Sequence, residues 1–374
     1  MYYHDEYSKS FKDELEFHEF LEEVEERAQW IRVPSKELMV LPASGNEGIC
    51  TPIKGIETAI VIADTMKHTG LLLNLRDKMY QLGSTAISSL LDRARISGSA
   101  LSDLEKITLA DLLNKCLKVA KGKALIRIFE GKVRAVLSGD NGRQDYSILP
   151  MPDVFMVASA YINGGFQHVK FQQGYVDHYL STAIWDIEDE ELVKTYREIL
   201  SRYGKNVEED LKAAIRVTTS DVGASGANIF YSLKEYGHIV VLGKALKLDH
   251  RKKATIEDFT DNIQSVFECY KEALEGVSKL NDINIRYPVN TMTGVMSKAG
   301  IGKKLTSEIV ESFKAASGDQ PCTAYEIYCG ICEVLFLAQT KGMNGRMLAE
   351  MEEDVAKCIH IKWHDFDIPG DFIL

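Results

Sequence analysis

Residues 124–138 read ALIRIFEGKVRAVLS and contain the strongest hairpin signal in the chain. Apolar and charged residues alternate on both sides of Glu130-Gly131, and a two-residue connection that contains glycine is typical of a β-hairpin. A turn at these two residues sets the register of both strands. It predicts the cross-strand pairs Phe129 with Lys132, Ile128 with Val133, Arg127 with Arg134, and Ile126 with Ala135.

In this register Arg127 and Arg134 stand side by side, on the face opposite the apolar one. Like charges directly across a strand pair are destabilising, so an anion is expected between them. Guanidinium groups suit phosphate because they offer parallel donors and always stay charged. Three partners remain open for this pair: an internal carboxylate, a nucleic-acid phosphate, or a smaller anion.

Cap and turn signals predict the rest of the architecture. Thr108 with Asp111, Thr255 with Asp258, and Thr323 with Glu326 form capping-box patterns that open helices. Ser84 is a candidate N-cap, and helices are also predicted over 152–164 and 348–359. The predicted strands, apart from the hairpin, are 166–172, 175–184, 213–219, 227–233 and 238–248.

Because the strands cluster instead of alternating regularly with helices, we predict an α+β fold. Its mainly antiparallel sheet comes from the central strand block and is flanked by N-terminal and C-terminal helices. We divide the chain into an acidic helical arm (1–45), an α+β core domain (46–280) and a helical C-terminal region that packs on the core (281–374).

Composition excludes several classes of protein. Of 374 residues, 45% are hydrophobic and 26% are charged, which is the ordinary globular mixture. No apolar run reaches the length of a membrane span, and the first 30 residues lack the apolar core of a secretory signal. We therefore expect an intracellular, cytoplasmic protein without membrane contact. The odd number of cysteines, seven, favours free thiols over a disulfide framework.

Charge is distributed unevenly along the chain. The formal net charge is −11, and residues 1–30 alone carry ten acids against three bases. Two windows are locally basic, because 115–134 holds seven bases and one acid and 244–253 holds five bases and one acid. An acidic arm with a locally basic body is the resulting description.

The arm is predicted to be an amphipathic helix. Its apolar residues recur at three- and four-residue steps and leave the acids on the other face; they are Phe11, Leu15, Phe20, Leu21, Val24 and Ala28. Two interpretations remain open. The helix is a solvated docking element, or its acidic face covers a basic surface until nucleic acid displaces it.

Several motifs resemble catalytic or metal sites without meeting their requirements. Cys329 and Cys332 have zinc-ligand spacing, but they lie in an apolar helical pattern without a second spaced pair, so we expect no metal. Gly300 to Lys304 lacks the first glycine and the final hydroxyl of a phosphate loop. We therefore expect no cofactor, and enzymatic activity stays uncertain with the balance against it. The loop 221–226 is a plain turn or an anion-binding nest of N–H groups.

The second basic window lies at the end of a predicted strand, just before a capped helix. Together with the hairpin it defines a set of candidate nucleic-acid-binding residues. They are Arg127, Lys132, Arg134, Lys247, His250, Arg251 and Lys252. Aromatic side chains near the strands are candidate stacking surfaces for bases; they are Tyr146, Phe166, Phe171, Tyr175 and Tyr179.

The segment from Arg127 to Ser138, followed by Tyr146, resembles the signature of the phage- and plasmid-borne family catalogued as domain of unknown function 932. Further along, Thr219-Ser220-Asp221-Val222-Gly223 is similar to that family's Asn-Ser-Glu-Val-Gly element. The similarity extends weakly from about Leu75 to Leu280. It implies an accessory protein of mobile elements, for which DNA handling is an expectation by association.

We therefore expect a phage- or plasmid-derived accessory protein that binds nucleic acid, with single-stranded DNA binding or annealing as the specific hypothesis. The alternative is an interaction or assembly protein, such as an inhibitor or decoy of a host factor, that acts through its acidic N-terminal helix. Self-association into a homo-oligomer and binding to a host protein both stay open.

Overall fold

The computed structural model describes residues 3–43, 55–76, 78–140, 142, 145–204, 211–235, 238–243 and 246–370. Within these ranges the chain forms twelve α-helices and fifteen strands, so the predicted α+β class is confirmed. The strands are β1 (Ser8–Phe11), β2 (Ala28–Pro34), β3 (Met39–Pro42), β4 (Leu71–Leu75), β5 (Lys78–Leu82), β6 (Lys123–Phe129), β7 (Lys132–Ser138), β8 (Val169–Asp177), β9 (Ser181–Ile187), β10 (Lys212–Thr219), β11 (Ala227–Glu235), β12 (His238–Val241), β13 (Leu246–Leu248), β14 (Asn284–Ile285) and β15 (Cys322–Thr323). The helices are α1 (Glu14–Glu26), α2 (Thr58–His68), α3 (Ser84–Ala94), α4 (Lys106–Val119), α5 (Met151–Gly165), α6 (Glu190–Ser201), α7 (Ile256–Gln264), α8 (Val266–Ser278), α9 (Pro288–Ala299), α10 (Lys303–Ser317), α11 (Ala324–Thr340) and α12 (Gly345–Cys358).

The described strands form two large sheets where the sequence predicted one. The larger sheet has the order β1-β8-β9-β10-β11-β12, with β13 also paired to β11, and it is antiparallel throughout. The smaller sheet has the order β2-β6-β7-β5-β4-β3 and is antiparallel except between β5 and β7. The short strands β14 and β15 pair separately. The predicted central block forms most of the larger sheet, and the hairpin forms the middle of the smaller one.

The described part of the predicted acidic helical arm (1–45) is not simply helical, because it also contributes three strands. Strand β1 is an edge strand of the larger sheet, while β2 and β3 are the two edge strands of the smaller one. Only α1 matches the predicted helix, because Phe11 ends β1 and Ala28 begins β2. The segment crosses from one sheet to the other, so it is a structural part of both.

Helix α1 packs through one apolar face. Phe17 is fully buried against the ring of Phe155, with ring centroids 4.9 Å apart, and it lies so close to Gly174 that a Cβ there would overlap it. Leu15, which the periodicity assigned to the same face, is 67% exposed. The buried stripe is therefore narrower than predicted, and it consists of Phe17, Phe20, Leu21 and Val24.

Two hydrophobic clusters lie on different sheets. The larger cluster joins one face of the larger sheet to α1, α5, α6, α8, α9, α11 and α12. The smaller cluster joins the smaller sheet to α3 and α4. Ile126, Ile128, Val133 and Val136 of the hairpin face this smaller cluster, so the alternating Arg127 points to the opposite side.

The cap predictions had mixed outcomes. The capping boxes at Thr255 and Thr323 are confirmed, since in both the side chain and the backbone N–H exchange hydrogen bonds with the third helical residue. Ser84 is the first residue of α3 instead of its cap. Helix α4 begins at Lys106, which places Thr108 inside the helix. None of the helices in the described ranges has the length and apolar character needed to cross a membrane.

We expect Phe17→Ala to lower the free energy of unfolding by about 3–5 kcal/mol, because it leaves a cavity between α1 and the larger sheet. Leu15→Ala on the same helix is the matched control and should change it by less than about 0.5 kcal/mol. Urea unfolding followed by circular dichroism measures both. Similar losses in the two variants would contradict this packing of α1.

Candidate functional site

The predicted hairpin turn is confirmed. Glu130 and Gly131 both have positive φ, 48° and 73°, as a two-residue type I′ turn requires. The pairs Phe129 with Lys132 and Ile128 with Val133 form as expected. The next pair does not, because a β-bulge at Arg134 sets Arg127 opposite Ala135 and Ile126 opposite Val136. The direct Arg127 to Arg134 pairing was therefore wrong.

Arg127 is fully buried and neutralised from within the protein. Its Nη1 and Nη2 donate to Glu25 of α1 at 3.1 and 2.6 Å, and its Nε donates to Asp221 at 2.8 Å. The guanidinium also lies 5.0 Å from the ring centre of Trp30. Burial alone would lower the pKa of Arg127, but the carboxylates of Asp221 and Glu25 outweigh it, and the net pKa is raised. Of the three open partners for Arg127, the structure contains the internal carboxylate.

Lys132 and Arg134 are buried in a second internal network. Lys132 Nζ binds the carboxylate of Asp64, and Arg134 donates to the backbone oxygen of His178. Burial lowers the pKa of Lys132 against the opposing effect of Asp64 and Asp5. In this arrangement the three predicted hairpin residues do not form a surface track for phosphate, because the fold of the chain encloses them.

The two segments that carry the family resemblance meet in space. Besides the Arg127 to Asp221 bond, the hydroxyl of Tyr146 donates to the backbone oxygen of Ser220 at 2.8 Å. Leu137 lies against Gly223, where an added Cβ would approach it to 3.1 Å. Segments more than 70 residues apart in sequence thus form one contact region, and it is the floor of a cleft.

The cleft has a volume of about 600 Å³ and lies where the two sheets face each other. One wall is α3, which presents hydroxyl groups and Arg93. The other wall is the loop 221–226 with the segment 247–251 that follows it in the larger sheet. In the loop, the N–H groups of Val222 and Ala224 already donate to Ser220 Oγ, so the proposed anion nest is partly filled by the chain itself.

His250 is a structural residue of this cleft. It is buried, and its ring stacks on Tyr146 with centroids 4.8 Å apart and planes within 4°. Its nitrogens lie within hydrogen-bonding distance of Thr219 Oγ1 and the backbone oxygen of Ser147. Burial lowers the pKa of His250, so the ring is neutral near pH 7 and offers no charge to phosphate.

The other predicted residues of this window, Lys247, Arg251 and Lys252, are exposed, and the first two of them line the cleft. Lys247 lies 3.3 Å from Asp249. In the described part of the chain, Arg251, Lys252 and Lys253 form no ion pair. These exposed residues are accessible to a ligand, whereas the predicted hairpin residues are buried.

Sequence reasoning missed two basic residues of the same region. Arg93 lines the cleft and donates to Ser35 Oγ at 2.6 Å. Arg32 lines a neighbouring groove of about 370 Å³ together with Lys253 and Tyr146. No local pattern marks either residue, because β2 and α3 reach this place only through the pairing of the smaller sheet.

The acidic face of α1 does not cover the cleft. No residue of α1 lines either groove, and two of its carboxylates are engaged internally, since Glu25 binds Arg127 and Glu14 accepts from Trp185. Its other acids point to solvent. The helix covers part of the basic hairpin through Glu25 and leaves the cleft open, and its displacement by nucleic acid stays a prediction.

The cysteine cluster lies in the larger core. Cys332 is buried on α11, and burial raises its thiol pKa well above the ordinary value, while burial raises the pKa of Cys358 to about 12. In the described part of the chain, no group of three or more potential ligands is placed to hold a metal ion. Cys50 lies outside the described residues.

No protein-family model, curated protein or solved structure matches this chain. The likeness to the phage and plasmid family thus stays a prediction based on two segments. The geometry and charge of the cleft carry the functional proposal.

We expect Arg127→Ala to lower the free energy of unfolding by about 3–5 kcal/mol, because Glu25 and Asp221 lose their common partner in a buried site. Lys115→Ala is the matched control and should change stability little, since it removes only a solvent-exposed ion pair on α4. Chemical denaturation measures both variants. A small decrease in the free energy of unfolding of Arg127→Ala would show that Glu25 and Asp221 are stable at these positions without the guanidinium.

We expect His250→Gln to reduce the pH dependence of stability. The pKa of His250 is lowered below the 6.5 of an unfolded chain, so its contribution is complete above that value. It is lost as the pH falls from about 6.5 toward the lower folded pKa, because only the unfolded state then binds the proton. Urea unfolding at about pH 7.5 and 5.5 should therefore give a smaller difference in the variant. Burial also lowers the pKa values of His18 and His178, but both residues are present in wild type and variant, so their contributions to the pH dependence cancel in the comparison. An equal stability difference between the two pH values in wild type and variant would contradict the prediction.

Proposed function

We propose that the cleft binds single-stranded nucleic acid through its phosphates, with the exposed turn at residues 251–254 as the main contact. A cleft of about 600 Å³ has the size of sites that hold small ligands, and it suits a nucleotide or two of one strand better than a duplex. Arg251 lines the cleft, Lys253 lines the neighbouring groove, and Lys252 lies between them in the turn, in a protein whose net charge is −11.

One observation carries this proposal. The backbone N–H of Ala254 donates to the oxygen of Arg251 at 3.0 Å, and the two residues between them, Lys252 and Lys253, have φ of 60° and 62°. A turn of this kind strongly prefers Asn-Gly, and each other residue in this conformation costs about 1–2 kcal/mol. Two lysines at strained and exposed positions are a poor choice for stability. Such departures from local preference are expected where function requires the side chains.

The surroundings supply further phosphate ligands. Ser88 on α3 and Ser225 in the opposite loop line the cleft. Its charged lining residues are the bases Arg93, Lys247 and Arg251 and the acids Asp92, Asp249 and Glu353. Hydroxyls and cations of this kind make most contacts to nucleic-acid backbones. Across the neighbouring groove, Arg32 extends the basic surface beyond Tyr146.

The aromatic residues support recognition of the backbone instead of the bases. Tyr146 already stacks with His250 and Trp30, and Arg346 covers the ring of Tyr179. Tyr175 is buried, and Phe166 and Phe171 pack against the larger cluster, so the expected stacking surface is not available in this arrangement. Phosphate contacts without stacking leave the bases accessible to a second strand. Strand annealing by an accessory protein of a phage or plasmid is the role that we propose on this basis.

A second candidate function rests on α1. Its exposed acids and the 67% exposed Leu15 lie on a helix that is fixed to the core, which is the form of a rigid surface for a basic partner protein. Cross-linking in the bacterial host would test it, by comparing the wild type with the combined variant Glu16→Gln, Glu19→Gln and Glu22→Gln. A partner captured equally by both proteins would count against this surface.

We expect the double variant Lys252→Asn and Lys253→Gly to bind single-stranded oligonucleotide more weakly while its stability rises. The change places preferred residues in the turn and removes two phosphate contacts. Because log affinity falls against log salt by roughly 0.7 per phosphate contact in single strands, the slope should flatten by about 1.4. Fluorescence anisotropy with a labelled oligonucleotide across a salt series measures it, and thermal unfolding measures the stability.

The matched control is Lys303→Gln with Lys304→Gln, which makes the same charge change at the start of α10, where no residue lines either groove. If both double variants bind the oligonucleotide equally weakly, the loss of affinity comes from the change in net charge and not from the turn. Wild-type protein that binds no oligonucleotide at low salt would end the nucleic-acid proposal.

A further inference from the structure

The carboxylate of Asp5 is enclosed by the cations Lys132 and Arg134 and lies beside a second buried carboxylate, Asp64, which binds Lys132 Nζ. It belongs to the segment from residue 3 to 7 that precedes β1, and it is 1% exposed. Its backbone N–H donates to Asp64 at 3.2 Å, which holds the segment in place. Such a short N-terminal segment has no regular secondary structure in which to anchor this residue, so the polar contacts of Asp5 fix its position.

The groups around Asp5 are those of an anion site. Its Oδ2 accepts a hydrogen bond from the backbone N–H of Ser84 at 2.7 Å, at the positive end of α3. Helix α3 has no side-chain cap of its own, because its N-cap residue is Gly83. Lys132 Nζ lies 3.9 Å from Oδ1, Arg134 Nη1 lies 4.0 Å from Oδ1, and His68 Nδ1 lies 3.9 Å from Oδ2.

A carboxylate does not fill this site well. Asp5 Oδ1 is buried without a hydrogen-bond partner, and its distances to Lys132 and Arg134 exceed hydrogen-bonding range. At Gly83 an added Cβ would lie 2.9 Å from the same oxygen, so the backbone approaches the anion as closely as glycine allows. A phosphate group has more oxygens than a carboxylate and could bind the helix terminus and both cations at once.

We propose that the N-terminus of α3, with Lys132, Arg134 and His68, is a phosphate-binding site that Asp5 occupies in this state. Withdrawal of the N-terminal segment would expose it. The site adjoins the cleft, which is lined by Thr85 and Tyr179. Thr85 directly follows Ser84 in the chain, and Tyr179 directly follows His178, whose backbone oxygen accepts from Arg134. A terminal phosphate of a strand in the cleft and a free phosphate share the required chemistry.

The test compares Asp5→Ala with Glu6→Ala. The control removes the same charge from the same segment. Glu6 is exposed and lies 3.6 Å from both Lys67 and His68 of α2, but it has no ion pair with Lys132 or Arg134. We expect inorganic phosphate, added at constant ionic strength, to raise the unfolding temperature of Asp5→Ala saturably, with an affinity at least about tenfold above that of the wild type. Phosphate should affect Glu6→Ala no more than the wild type. An equal response of the two variants would overturn the proposal.

Asp5→Asn covers the case in which Asp5→Ala does not fold in chloride buffer. The amide keeps the shape and an acceptor for Ser84 but removes the competing charge, so phosphate should bind it more tightly than the matched Glu6→Gln. Recovery of folded Asp5→Ala in phosphate buffer would also support the site. No gain of Asp5→Asn over Glu6→Gln would overturn it.

Oligonucleotides then identify the source of the phosphate. If Asp5→Ala prefers a 5′-phosphorylated strand over its 5′-hydroxyl form, the ligand is a strand terminus; if inorganic phosphate binds and the strands do not differ, it is a free phosphate. Combining Asp5→Ala with Lys252→Asn and Lys253→Gly separates this site from the proposed cleft function. The combined variant should lose strand binding and keep its response to inorganic phosphate.

Discussion

The buried guanidinium of Arg127 joins the parts of this protein. It extends from the hairpin of the smaller sheet, binds Glu25 of α1, and binds Asp221 in a loop of the larger sheet. Removing a charge from water is costly, so this arrangement is stable only when both carboxylates are in place. The docking of the two sheets and the position of α1 therefore depend on one residue whose charge none of them could accommodate alone.

The same requirement explains how the acids and bases of the chain are distributed. The acid-rich beginning of the chain supplies Glu25 and Asp5, which lie against the basic hairpin, so part of the charge of both segments is paired inside the fold. Exposed basic residues without an ion pair in the described part of the chain include Arg251, Lys252 and Lys253, in the turn beside the cleft. A basic window in the sequence thus indicates a ligand site only after its internal partners are known.

One extra residue in β7 separates the two arginines of the hairpin. Without the bulge Arg127 and Arg134 would be direct neighbours, and they would compete for the same counterions. With it, Arg127 binds the loop of the larger sheet, while Arg134 lies with Lys132 and Asp5 near the start of α3. The bulge therefore divides one expected anion site into two carboxylate clusters, one with Glu25 and Asp221 around Arg127 and the other with Asp5 and Asp64 beside Lys132 and Arg134.

The sequence by itself determined the features that depend on neighbours along the chain: the turn at Glu130-Gly131, the capping boxes at Thr255 and Thr323, and the α+β class. The tertiary structure decided which charged side chains are neutralised by internal ion pairs. Glu25 lies 102 positions before Arg127 and Asp221 lies 94 positions after it, and no local pattern records such a pairing. Backbone conformation follows from local sterics and hydrogen bonds, whereas the partner of a buried charge follows from how separate sheets dock, because only docking removes that charge from water.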